Sequence, residues 1–311
     1  MPVKRTHAKA LARLEARGLP RRDFLKICTA AAATFGLSRL IVVDRVAWAV
    51  GAAASKPPVL WLEGQDCAGC TVSFAGSLHP PTMQILLETI SLRYHETLMA
   101  AAGRQAEAAY RAAVEQGGHV LVVEGSVPGA DDRFCRIGGR LFREILEEAA
   151  AGAVVVIAVG ACASYGGIPN ATVTRGLGMD QALPGKTVVN LPTCPVHVEH
   201  LVGTLLHFLA TGKPPALDSL GRPVAYFSTL IHDNCRRRGA FENGQFLTDW
   251  NDPKQKDWCL LHRGCKGPYT FADCPARKWD DGINFCIDCG AGCMGCAEPG
   301  FYDEMSPLFE G

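Results

Sequence analysis

The chain lacks an excess charge of either sign, and it lacks a long apolar run. Its 311 residues carry 31 Lys and Arg against 31 Asp and Glu. The basic residues are unevenly placed: the first 54 positions hold 10 basic and 3 acidic residues, leaving 21 and 28 beyond them, a net charge of about −7. A nucleic-acid surface needs the opposite balance, so that class is excluded and no nucleic-acid partner is expected. After residue 54 no segment approaches the ~20 apolar residues that cross a bilayer, and the final Glu310-Gly311 carries no hydrophobic tail. The mature chain is expected to be soluble unless a partner anchors it.

Cysteine is what the chain has in plenty. Of 14 cysteines, eight fall in the 62 residues from Cys235 to Cys296. A disulfide framework suits a chain too small to make a core, whereas 311 residues at 48% hydrophobic content can bury a large one. Ligation is the better reading. Cys67-x-x-Cys70 and Cys293-x-x-Cys296 each put two sulfurs on one tight turn, where both can face a single iron or zinc.

Residues 1–54 read as a twin-arginine export signal. Lys4, Arg5, Lys9, Arg13 and Arg17 form a basic region, Arg21-Arg22-Asp23-Phe24-Leu25-Lys26 follows, and the apolar stretch from Ile27 to Leu40 is too short to span a membrane. Small residues around Ala47-Trp48-Ala49 and Ala52-Ala53-Ala54 suit a signal peptidase. This route carries proteins already folded, as a cofactor inserted in the cytoplasm requires, and predicts a periplasmic destination.

From about Pro57 to Phe227, short apolar runs alternate with helical patterns. Val59–Leu62, Val120–Val123, Val154–Val159, Val188–Leu191 and Val224–Phe227 read as strands; Pro81–Leu92, Arg104–Gln116, Gly138–Ala150 and Pro195–Leu209 read as helices. The pattern predicts an α/β domain over 55–227, a flavodoxin-like, doubly wound parallel sheet with ligands at the strand carboxyl ends. Cys67 and Cys70 follow the first strand, Cys162 the third and Cys194 the fourth, so three loops converge on one sheet edge with four thiols. Core packing explains one buried cysteine but not four at equivalent places. A four-thiolate cluster is predicted there. The first loop, Glu63-Gly64-Gln65-Asp66, lacks the hydroxyl-rich phosphate cradle a flavin needs, and Gly64, Gly69 and Gly160 are expected to let backbone amides approach sulfide. Residues 228–311 lose all periodicity and are predicted to be a smaller, irregular domain folded around bound cofactors.

The motifs taken together resemble the small, electron-transferring subunit of nickel-iron hydrogenases. They are Trp61-Leu62-Glu63, Cys67-Ala68-Gly69-Cys70, Gly160-Ala161-Cys162, Pro192-Thr193-Cys194-Pro195, His232-Asp233-Asn234-Cys235, Cys265-Lys266-Gly267-Pro268, Ala272-Asp273-Cys274-Pro275 and the run Cys293-Met294-Gly295-Cys296 through Phe301. The resemblance runs from the export signal to the C-terminus. It implies an uptake hydrogenase, a heterodimer oxidising dihydrogen to protons and electrons, whose nickel-iron site lies in an obligate large partner subunit. No catalytic residue is then expected in this chain. It implies three clusters: a proximal 4Fe-4S on Cys67, Cys70, Cys162 and Cys194; a distal 4Fe-4S on His232, Cys235, Cys259 and Cys265; and a medial cluster. A cytochrome or other electron acceptor would dock near the distal one.

The medial set departs from the commoner family pattern. Members with a 3Fe-4S cluster use three cysteines, matched by Cys274, Cys293 and Cys296, and have proline where this chain has Cys286. A thiolate there can hold a fourth iron, so a medial 4Fe-4S is favoured over 3Fe-4S, with Cys289 as the alternative fourth ligand. The supplementary cysteines of oxygen-tolerant members correspond here to Gly69 and Gly167, so that special cluster chemistry is not expected. Cys28 lies in the export signal, Cys135 is expected to pack, and His197, His200 and His262 are expected to be structural. Arg236, Arg237 and Arg238 read as a solvated basic face able to steer an acidic acceptor. Two alternatives stand: an exported zinc-binding structural protein, and a related respiratory electron-transfer protein, which would match the first domain only.

Overall fold

The computed structural model describes residues 56–78, 81–279 and 281–301, so the expected export signal, with Cys28, and the final residues lie outside the described part. Five parallel strands form the main sheet: β1 (Pro58–Glu63), β2 (Ser91–His95), β3 (His119–Glu124), β4 (Ala153–Val159) and β5 (Val188–Leu191), in the order β2-β1-β3-β4-β5. That is the flavodoxin-like doubly wound order, with its switch point between β1 and β3.

Side chains alternate across this sheet, and both faces are covered. Leu60, Leu62, Leu121, Val123, Val156 and Ala158 face one side, where they meet Tyr110, Phe142 and Leu146. These belong to helices α2 (Arg104–Gln116) and α3 (Phe142–Gly152). Val59, Trp61, Val120, Val122, Ile157 and Val189 face the other side, packed by Phe74, Leu201 and Leu205. Phe74 comes from α1 (Gly69–Ala75), and the two leucines from α5 (Val198–Thr211). A short α4 (Gly160–Tyr165) follows β4 directly. Each fully buried Leu or Phe here contributes ~1.5–3 kcal/mol, so this unit holds together by ordinary apolar burial.

Several predicted elements change. Val224–Phe227 is one helical turn rather than a strand; a four-residue apolar run has no periodicity to choose between the two. The fifth strand is instead β2, which begins at the end of the predicted Pro81–Leu92 helix and runs past it, while that helix breaks up into a short helix at Thr82–Gln84 and a wide turn at Ile85–Thr89. The Gly138–Ala150 helix starts later, because Arg136–Ile137 and Arg140–Leu141 pair as a small hairpin across Gly138-Gly139. The helix placed at Pro195 starts at Val198, with the His197 ring accepting from the Glu199 N–H.

Beyond Phe227 no helix or strand among the described residues exceeds five residues. The core of this part has twelve buried members, from Tyr226 to Ala297, and three of them are Cys265, Cys274 and Cys293. So small an apolar core needs cross-links of another kind.

Two polar clamps join it to the sheet domain. Arg222 donates to Asp218 and Glu298 and to the Ala297 carbonyl, at 2.8, 3.0 and 3.1 Å. On α5, His200 Nε2 meets Asp273 Oδ1 at 2.8 Å, Glu199 accepts from Arg277, and His197 donates to the Lys278 carbonyl. The aromatic rings interleave there as well: His197 stacks on His200 and lies against Trp279, and His200 stacks on Tyr226 at 4.3 Å. The structural expectation for His197 and His200 is borne out by these contacts. Among the described residues, no helix is long and apolar enough to cross a membrane.

Candidate metal centres

The first site forms where β1, β4 and β5 end. Ala68 takes a left-handed conformation (φ 56°) that turns the chain sharply between Cys67 and the first turn of α1, which carries Cys70. Cys162 lies in α4, and the Ala161 N–H bonds the Thr193 carbonyl at 3.0 Å, tying that turn to the loop bearing Cys194. The four thiols lie within one another's electrostatic reach: Cys162 and Cys194 act on Cys70, Cys194 and Cys67 on Cys162, and Cys67 on Cys194. Burial pushes the Cys162 thiol up to about 12 and Cys70 well above its usual value. Thiols held protonated in this way become thiolates when a metal displaces the proton.

Two glycines make room for the cysteine sulfurs of the set. A Cβ at Gly160 (φ +84°) would meet Cys70 Sγ at 2.5 Å, and one at Gly69 would meet Cys67 Sγ at 3.1 Å. The Val196 N–H donates to Cys70 Sγ at 3.3 Å. Gly64 does something else: a Cβ there would strike the Phe142 ring and the Ser126 carbonyl, so its smallness serves packing rather than sulfide. At Gly167 (φ +52°) a Cβ would sit 2.8 Å from the Cys162 backbone, so the loop as folded has no space for a supplementary cysteine.

Sequence reasoning missed the acidic network behind this set. Glu63 and Glu124 end adjacent strands in register. The Thr71 hydroxyl lies 3.0 Å from Glu63 Oε1 and 2.6 Å from Glu124 Oε2, and the Cys70 N–H donates to Glu124 Oε1 at 2.9 Å. Glu96 accepts from the Glu63 N–H at 3.2 Å. Burial lifts Asp66 to about 6 and Glu96 to about 7, and pushes His95 down to about 4. A signal was available in the sequence: a carboxylate closes each of two otherwise apolar strands.

The second set encloses a cavity lined by His232, Cys235, Cys259 and Cys265, with Leu260 and Ile287 among the walls. A tight 3₁₀ turn over Ile231–Asn234 puts His232 and Cys235 on one side. Burial lowers the His232 pKa, favouring the neutral imidazole that binds metal. The Arg237 N–H donates to Cys235 Sγ at 3.4 Å. His262 is structural, stacked on Phe246 at 4.0 Å.

The third set lies between the other two. Cys274 opens α6 (Cys274–Arg277), and burial pushes Cys274 and Cys293 up to about 12 and Cys296 well above its usual value. Cys296 receives the Cys194 N–H on one side, while on the other the Cys293 N–H donates to Cys265 Sγ at 3.2 Å. Cys286, not Cys289, is among the groups whose charge acts most strongly on Cys274 and Cys293. Both Cys286 and Cys289 are exposed.

Two further expectations are resolved. Cys135 is half-buried against the sheet core, as expected. The Arg236–Arg238 run is a solvated face in part: Arg236 stays exposed and Arg238 partly so, pairing with Asp288 and with Asp233 and Glu242, whereas Arg237 is buried and donates to the Lys256 and Trp258 carbonyls.

A doubly wound domain with cysteines at its strand ends, followed by a cysteine-folded unit, defines an iron-sulfur electron-transfer protein. Residues 227–309 match the C-terminal domain family of the NiFe/NiFeSe hydrogenase small subunit, and residues 67–208 match the family of the NADH ubiquinone oxidoreductase 20 Kd subunit. The chain is 40% identical over 294 residues to the Hydrogenase-2 small chain of Escherichia coli (strain K12), covering 92% of this chain and 78% of that protein. It is 41% identical over 298 residues to the uptake hydrogenase small subunit of Azotobacter vinelandii, covering 93% and 82%. Among solved structures it resembles a [NiFeSe]-hydrogenase chain from Dm. baculatum, with TM-score 0.76, 37% identity, and coverage of 82% of this chain and 99% of that one. A recombinant [NiFeSe] hydrogenase from Desulfovibrio Vulgaris Hildenborough gives TM-score 0.75 at 38% identity, covering 82% and 98%.

The chain belongs to the nickel-iron hydrogenase small subunits. Its role is electron transfer within an oxidoreductase that pairs a small with a large subunit. The zinc-protein alternative falls with that membership, and the respiratory alternative accounts for residues 67–208 only.

Proposed function

We propose that this chain relays electrons from hydrogen oxidation in its large partner subunit through three iron-sulfur clusters in series. Cys67, Cys70, Cys162 and Cys194 hold the proximal 4Fe-4S; Cys274, Cys286, Cys293 and Cys296 hold a medial 4Fe-4S; His232, Cys235, Cys259 and Cys265 hold the distal 4Fe-4S. The clusters supply one-electron redox chemistry, and the protein sets each potential through ligand charge, N–H···S bonds and burial. Replacing one thiolate by His232 removes a negative charge and raises the distal potential, which draws electrons toward the exit. There the acceptor, a cytochrome or another redox protein, docks. Export by the twin-arginine route, carried by Arg21-Arg22 and already loaded with clusters, delivers the enzyme to the periplasm.

The observation that carries this reading is the serial contact of the three donor sets. The N–H of Cys194 meets Cys296, and the N–H of Cys293 meets Cys265, so one peptide separates each set from the next. The choice of Cys286 over Cys289 rests on its influence on Cys274 and Cys293.

Iron analysis of the purified heterodimer tests the proposal. Beyond the partner's own iron, three four-iron clusters give about 12 irons and a brown protein. A count near four, or a colourless protein, would refute it.

A further inference from the structure

The proposed medial site needs four thiols, and the segment that would supply them holds five: Cys274, Cys286, Cys289, Cys293 and Cys296. Three of them are held firmly: Cys274 and Cys293 are buried, the Gly295 N–H donates to Cys293 Sγ at 3.4 Å, and Cys296 receives the Cys194 N–H. The other two are exposed and share one turn. The Asp288 and Cys289 N–H groups both bond the Phe285 carbonyl, at 2.9 and 3.1 Å, and the Ala291 N–H bonds the Cys286 carbonyl at 2.9 Å. This is a single helical turn with Cys286 and Cys289 at i and i+3, on one side, with Cβ atoms about 5–6 Å apart. Phe285 and Ile287 are buried and anchor the turn to the core, while Arg236 and Lys278 grip Asp288 from outside at 3.1 and 3.3 Å. Beyond it, Gly290 takes φ +89°, a conformation that leaves the end of the turn without side-chain obstruction. A disulfide needs Cβ atoms about 3.5–4.5 Å apart, so a small contraction of this turn closes one. Among the thiols, Cys289 acts most strongly on Cys286, as expected for two cysteines three residues apart on one turn.

We propose that Cys289 is a redox partner for Cys286: a peroxide or a disulfide oxidant joins the two sulfurs, and the medial cluster gives up its fourth iron. The proposal rests on the reading of Cys286 as the fourth medial ligand. The electrons balance. The iron-bound Cys286 thiolate and the Cys289 thiol form one S–S bond, releasing two electrons and one proton. Hydrogen peroxide takes the two electrons, that proton and one more from solvent, and becomes two waters. A cluster bound here would give up its fourth iron as Fe²⁺ with no further electron transferred, and Cys274, Cys293 and Cys296 would hold the three irons that remain. A thiol reductant and Fe²⁺ reverse the process. Oxidant is then consumed at a replaceable surface bond, and the three-cysteine cluster that remains keeps the relay in place. The exposed CxxC spacing is the arrangement in which such exchange is fast.

The test uses the purified heterodimer of the wild type, of Cys289→Ser and of Cys286→Ser. Each is treated with hydrogen peroxide at one equivalent per heterodimer, alkylated, and read by peptide mass spectrometry over residues 286–289. Electron paramagnetic resonance after mild reoxidation follows the three-iron signal. The expected result is a peptide two hydrogens lighter and a three-iron signal in the wild type, reversed by dithiothreitol with Fe²⁺, and neither change in Cys289→Ser. A wild type that forms no disulfide, or a Cys289→Ser protein that converts as the wild type does, overturns the proposal and leaves the ligand reading intact. An untreated Cys286→Ser protein that keeps a four-iron medial cluster overturns the ligand reading, and this proposal with it.

Discussion

The backbone N–H of Cys293 donates to the sulfur of Cys265 across 3.2 Å, so a residue of one donor set directly stabilises the thiolate of the next. Cysteines that shared only a core would have no reason to point amide at sulfur; cysteines holding adjacent clusters do. On the proposed assignment, replacing Cys265 by Ser removes a distal ligand and also loosens the neighbouring medial set. The expected outcome is loss of the distal cluster, read as about four irons, with a broadened medial resonance signal.

The clamp between the two units gives a second prediction. His200 is fully buried and donates from Nε2 to Asp273, whose carboxyl is held down to about 2 by His200 and Arg277. In His200→Phe the ring still stacks on Tyr226, but the carboxylate loses a partner, at a cost of about 1–3 kcal/mol. Asp273 precedes Cys274 and its charge acts on that thiol. The medial midpoint potential should fall in this variant while the proximal one stays put, as a redox titration would read.

Arg222 makes the other clamp, with a side chain only 5% exposed and two carboxylates as partners. Arg222→Ala leaves Asp218 and Glu298 without their cation and should cost about 3–5 kcal/mol, measured as a lower denaturation midpoint. Lys at this position should recover part of the loss but not all, because it cannot bridge both carboxylates in a plane.

Gly160 combines a positive φ with a thiol in the space a side chain would fill. Gly160→Ala should cost about 1–3 kcal/mol through backbone strain alone, and it should displace Cys70 from the proximal set. Loss of proximal iron with the medial and distal clusters retained is the expected result.

Stability should fall on the acid side for a reason unrelated to the clusters. His119 is buried with Nε2 donating to the Ala149 carbonyl at 2.9 Å, and burial lowers its pKa from the ordinary 6.5. The unfolded chain therefore takes up a proton below about pH 6.5 that the folded chain refuses, and its contribution, complete above that value, is lost as pH falls. His119→Gln, which can keep the donor, should flatten this part of the stability-pH curve.

How much of this was legible in the sequence differs from site to site. The four sheet-edge cysteines could be read because each follows an apolar run at a strand end, where a doubly wound fold collects its ligands. The distal and medial sets carry no such pattern, and their partition came from the family resemblance. Val224–Phe227 misled because four apolar residues suit a buried helical turn as well as a strand. β2 escaped because Ser91, Arg93 and His95 interrupt an edge strand with polar residues. The roles of Arg236, Arg237 and Arg238 depended on distant acceptors, Asp288 and the Lys256 carbonyl among them, that no local spacing reveals. The Glu63–Thr71–Glu124 network likewise joins three elements through a single hydroxyl.

Reduction of the clusters by hydrogen in a Cys70→Ser heterodimer tests the serial relay most directly. Cys70 sits in the proximal set only, so the medial and distal sets remain to report on electrons that reach them. The account predicts that these two sets stay oxidised under hydrogen and that dye-linked hydrogen oxidation falls by at least the ~100-fold that loss of even a ligand's supporting partner can cost. Full reduction of both sets at the wild-type rate would contradict it.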